Sequence, residues 1–127
     1  MLPQLAVSLF MAILFLQSGL DKVLHYQGNL AYFRDHFKKS PLAGMVSMMM
    51  PLITLLEVSA GALSAAGAVQ MLLSGAHTLA FYGQAVAAAA LLCLFFGQRL
   101  AQDYGGAATL VPYFLTALAG MWLTSGI

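Results

Sequence analysis

The sequence predicts an all-α integral membrane protein, a bundle of four transmembrane helices with a short interfacial amphipathic segment between helices 1 and 2. Three observations lead there. Of 127 residues, 61% are hydrophobic and only 7% charged, against about 25% charged in soluble domains. A single soluble core of this size cannot hide so much apolar surface, whereas lipid removes the need to hide it. The few charges also stand in clusters, leaving uncharged runs long enough to cross a bilayer, which takes about 20 apolar residues.

The first run, residues 1–20, is uncharged and ends at Asp21 and Lys22. With no basic stretch ahead of it and no Ala-x-Ala cleavage site, it reads as a span near 3–24 rather than a signal peptide. The stretch 45–97 is too long for one crossing and suits two joined by a tight turn. Ser74-Gly75-Ala76-His77-Thr78 supplies the turn residues, which places the second and third spans near 45–72 and 78–98. Arg99 and Asp103 then interrupt the apolar sequence, and the uncharged tail supplies a fourth span near 105–125. Backbone polar groups in lipid must be satisfied within the segment, so these runs are expected to be helical, and nothing alternates as in barrel strands. Residues 1–127 form one domain.

Between the first two spans, residues 28–41 carry Leu30, Phe33 and Phe37 on one helical face, with Arg34, Asp35, Lys38 and Lys39 elsewhere. That pattern suits a helix lying in the membrane interface with its bases near anionic headgroups. Four crossings place Lys22, Arg34, Lys38, Lys39 and Arg99 at one side and no base at the other. The positive-inside rule makes that side cytoplasmic and puts both termini outside. Trp122 on one side, and Tyr26 and Tyr104 on the other, read as interfacial anchors. A net charge of +1 offers too few bases for nucleic acid.

Packing signals are clear in the middle spans. Gly61 and Ala65, alongside Ala60 and Ser64, form a small-residue strip in span two, and Gly83 and Ala87 repeat the spacing in span three. Such strips let backbones approach where no hydrophobic effect drives helices together, so spans two and three are expected to pack there. Met45, Met48, Met49 and Met50 read as adaptable apolar packing rather than soft metal ligands, because neighbouring residues on a helix cannot face one ion. His25 and His36 lie on the side opposite His77, which disfavours a haem. The lone Cys93 excludes an internal disulfide or a Cys-x-x-Cys pair. No phosphate loop, nucleophile motif or metal motif occurs.

Glu57 is the informative residue. A carboxylate inside a span is costly and is expected to face the bundle interior with a partner. Asp21, Lys22, Arg99 and Asp103 fall at the same end, so a polar cluster of three acids and two bases is expected, with Lys22 or Arg99 as the compensating charge. Such a cluster is either an ion-pair knot that fixes helix register, or a headgroup pocket for a quinone or other lipid, or a proton relay.

The stretch Phe15-Leu16-Gln17-Ser18-Gly19-Leu20-Asp21-Lys22, together with Glu57 and Gly61 and the spacing of the spans, resembles the DoxX family of small four-helix bacterial membrane proteins over the whole chain. That family is named for its similarity to a subunit of thiosulfate:quinone oxidoreductase. The resemblance implies a bacterial inner-membrane location, carries over Lys22 and Glu57, and brings a quinone as the one cofactor to consider. Two functions are therefore expected: an accessory or structural subunit packed among other membrane protein subunits and not catalytic alone, or a quinone-linked redox subunit with the headgroup near Glu57. A transporter is disfavoured, since no repeat or broken helix pair is evident.

Overall fold

The computed structural model describes residues 2–125. They form five helices: α1 (Leu2–Leu24), α2 (Tyr26–His36), α3 (Val46–Ser74), α4 (Thr78–Leu100) and α5 (Tyr104–Thr124), with a 3-10 turn at Ala43–Met45 leading into α3. No strand occurs among the described residues. Four of the helices, all but α2, are long and apolar enough to cross a membrane.

Short links dictate an up-and-down arrangement. Gly75 ends α3 in the left-handed conformation at φ +76, its N–H donating to the Met71 carbonyl at 3.0 Å, a cap that glycine adopts without Cβ strain. A second reversal, after α4, passes through Gln102 at φ 59. The main packing runs in the order α1, α3, α4, α5, and α5 closes against α1 over a smaller contact.

Glycines set the closest approaches. A Cβ on Gly83 would lie 2.7 Å from the backbone nitrogen of Ser64, and one on Gly67 would strike the backbone of Ala80. These contacts bring α3 and α4 together. Gly61 departs from expectation: its missing Cβ would lie 2.7 Å from the backbone nitrogen of Leu16, so it faces α1 rather than α4. Ala65 is only half-buried, while Ala87 is fully buried. The single seam expected from Gly61/Ala65 and Gly83/Ala87 is thus two seams. The reason is that α3 has a neighbour on each side and divides its small residues between them.

Inside, Ala60, Ala87, Ala90 and Ala117 keep the axes close, and Met11, Phe15 and Leu91 fill the remaining volume. Outside, the surface is apolar too: Ile13, Leu73 and Trp122 are each at least 70% exposed.

One mismatch in length shapes an end of the bundle. α3 has 29 residues and α1 has 23, roughly 43 Å against 35 Å at helical rise. Gly19 beside Val58, and Leu16 beside Gly61, fix their antiparallel register; continuing it, α1 ends near the level of Ile53. The first turns of α3 therefore project beyond α1. There α2 folds back over them, and Leu30, Phe37, Val46 and Met50 form a second small core.

Replacing Gly67 with Ala is expected to lower stability by about 1–3 kcal/mol through overpacking. Gly28→Ala, on α2 where a Cβ meets nothing within 4 Å, is expected to raise it by about 0.5–1 kcal/mol. Thermal denaturation in one detergent compares the two; an unchanged midpoint for Gly67→Ala would refute the close α3–α4 approach.

Candidate functional site

The α1–α3 seam holds the polar centre of the molecule. Glu57, on α3, is 1% exposed and Lys22, on α1, 8%. Lys22 Nζ donates to Glu57 Oε2 at 2.9 Å, and Ser18 Oγ donates to the same oxygen at 2.9 Å. Lys22 also donates to Ser18 Oγ at 3.1 Å, closing a triangle. Ser18 and Lys22 share a face because they are one turn apart on α1. The Phe33 ring of α2 covers the ammonium, its centroid 5.9 Å from Nζ.

Backbone approach is what makes this contact possible. Gly19 stands next to Ser18, and a Cβ there would lie 2.8 Å from Val58 Cγ2. Gly61, one turn beyond Glu57, admits Leu16. Ser18, Gly19, Lys22, Glu57 and Gly61 thus meet in one interface, two glycines bringing the helices close and three polar side chains linking them. A carboxylate held by a cation and a hydroxyl has the compensation that burial demands.

The other expected members of the cluster lie elsewhere. Asp21 is exposed; it pairs with His25 Nδ1 at 3.2 Å and accepts from Asn29 at 3.2 Å. One residue from Lys22, it projects about 100° around the helix. Arg99 is exposed and packs over the Tyr104 ring at 4.5 Å, away from Glu57. Since Gly83 sits beside Ser64, Glu57 lies level with Ala90 of α4, nine residues short of Arg99, roughly 13 Å along the axis. Asp103 caps α5 by accepting from the Gly106 N–H at 2.9 Å. The expected cluster of three acids and two bases is therefore a two-charge pair, with Asp21, Arg99 and Asp103 outside it.

Asp103 belongs to a second network that the spacing does not reveal. His36 Nε2 lies 2.7 Å from Gln98 Oε1 and 3.6 Å from Asp103 Oδ2, tying the end of α2 to the α4–α5 turn. Beside this network an apolar groove of about 320 Å³ runs between α2, α3 and α4, walled by residues such as Phe37, Met49, Ile53 and Cys93. Deeper in the bundle, both amide atoms of Gln84 and the hydroxyls of Ser8 and Ser64 are buried without a partner among the described residues. Of these residues, Asp103 is marked by its place at the polar end and His36 by its residue type alone, and nothing local joins His36 to Gln98 or singles out Gln84.

Compared with known proteins, the chain matches no family model, and no curated protein or solved structure is significantly similar to it.

Lys22→Met alone leaves a buried carboxylate without its cation and is expected to cost about 3–5 kcal/mol. Adding Glu57→Leu is expected to recover most of that loss, since an apolar pair of similar volume replaces a buried ion pair at little net cost. Thermal melts of the two variants and the parent decide it; a double variant no more stable than Lys22→Met would contradict the charge-compensation account.

Proposed function

We propose that the protein is a DoxX-like multi-pass protein of the bacterial cytoplasmic membrane, acting as an accessory or structural subunit packed within a larger membrane complex. The observation carrying this reading is the outer face of α5. Only 17% of its apolar stretch is buried inside the bundle, against 33–39% for the other three long helices. Val111, Leu115, Leu118 and Trp122 are all exposed and recur at the spacing of one helical face. Packing rather than water exclusion joins helices in lipid, and α5 is the long helix whose face the bundle itself covers least.

The buried ion pair, compensated from within the bundle, favours the same reading over a quinone-linked subunit with its headgroup at Glu57. Both donors to the Glu57 Oε2 atom come from α1, so that oxygen is already engaged within the bundle. All five Lys and Arg side chains belong to the end formed by α2 and the neighbouring termini of α1 and α4. The positive-inside rule makes that end cytoplasmic and both chain termini external, with α2 in the interface.

A photo-crosslinking residue at Leu115 or Leu118 is expected to join one defined membrane protein in intact cells, while the same residue at Leu72 of α3 labels lipid. Labelling of lipid alone from α5 would remove the accessory reading. Orientation is checked separately in a Cys93→Ser background. An impermeant maleimide added to intact cells is expected to modify Ala76→Cys and spare Lys39→Cys; the opposite pattern reverses the topology.

A further inference from the structure

We propose that the groove beneath α2 is a binding site for one acyl chain of an anionic membrane phospholipid, with the headgroup held by the bases of the α2 segment. The inference rests on the lipid-embedded reading above and goes beyond the accessory role.

The groove lies between α2, the first turns of α3 and the last turns of α4, and none of the residues that line it belongs to α1. Its volume, about 320 Å³, lies at the lower end of the range for ligand sites, and its walls are almost wholly apolar side chains. Several wall residues also belong to the outer surface of the bundle: Leu52 is 57% exposed and Phe96 60%, and Cys93 is exposed. The groove therefore opens sideways, where lipid chains lie, and its natural occupant is a molecule already in the bilayer.

Charge selects the headgroup. The segment roofing the groove carries Arg34, Lys38 and Lys39 against one acid, Asp35. Asp35 is engaged by Lys38 at 3.1 Å. Arg34 donates to the neutral hydroxyl of Ser47 at 2.9 Å and makes no ion pair among the described residues. Lys39 is exposed on the same segment. The polar end of the groove is Gln98, which His36 holds in place. An apolar trough roofed by a segment of net positive charge matches a phosphodiester carrying a single negative charge, and basic side chains at a membrane surface favour such lipids.

Cys93 makes the test possible without altering the groove, because it is the chain's one cysteine and lines the wall. The full-length protein, recovered from carbonate-washed membranes and delipidated in a non-ionic detergent, is treated with a small maleimide while phosphatidylglycerol, phosphatidylcholine or a short-tailed ubiquinone is added. Phosphatidylglycerol is expected to slow Cys93 modification at least fivefold, at concentrations some tenfold below those at which phosphatidylcholine does so. In an Arg34→Gln/Lys39→Gln variant the two phospholipids are expected to act alike. Native mass spectrometry of the parent is expected to show one retained phosphatidylglycerol. Equal protection by both phospholipids in the parent, protection by the quinone alone, or no protection would each overturn the proposal. Loss of the chain from washed membranes would instead refute the lipid-embedded reading on which it stands.

Discussion

The Lys22–Glu57 contact constrains more of this molecule than any other interaction. An ionised carboxylate in an apolar bundle must have its compensating charge within hydrogen-bond reach, and here Glu57 is 1% exposed. Meeting that requirement fixes how far α1 slides along α3. Gly19 on α1 and Gly61 on α3, both on the same side of the pair along the seam, then let the backbones approach until Lys22 and Ser18 both reach Oε2. A shift of one turn, about 5.4 Å, would set Leu16 and Val58 against side chains instead of glycines and leave Glu57 without its cation.

Much of the remaining architecture follows from that register. With Lys22 opposite Glu57, α1 ends near Ile53, and the first turns of α3 need another cover. α2 supplies it through Leu30 and Phe37, while Phe33 reaches back over the Lys22 ammonium. His36 and Gln98 tie the far end of α2 to α4. The groove lies beside this contact, between α2, the first turns of α3 and the last turns of α4. Phe33 joins the ion pair to the groove, since its ring lies by the Lys22 ammonium and also lines the groove wall.

The two ends of the bundle treat buried polarity differently. Near α2 every member of the Ser18–Lys22–Glu57 triangle is bonded. Toward the opposite end, Gln84 is fully buried with neither amide atom partnered among the described residues, and Ser8 and Ser64 are similar. Met11, Phe15, Ala60 and Leu91 form an apolar layer among the core residues. A neutral amide or hydroxyl left without a partner costs a few kcal/mol at most in proteins, far less than an isolated charge. That difference explains why the charge dictates register and Gln84 does not.

What the sequence by itself determined is the four long apolar helices and the presence of an acid that needed a cation. Both follow from local chemistry: uncharged runs of spanning length, Gly75 at a turn, and a carboxylate too costly to leave in a span without compensation. The tertiary structure decided which cation. Lys22 and Arg99 are equally plausible from position, and only the antiparallel register, set by where glycines let backbones meet, puts Arg99 about 13 Å too far along α4. The same holds for Gly61, whose spacing with Ala65 marks a close-packing face but cannot name the helix on the other side. His36 and Gln98 sit 62 residues apart, and no periodicity connects them. Helix and face are properties of neighbouring residues, whereas register and partner are properties of the whole bundle, because each contact is settled only when all the helices have found their depth against one another.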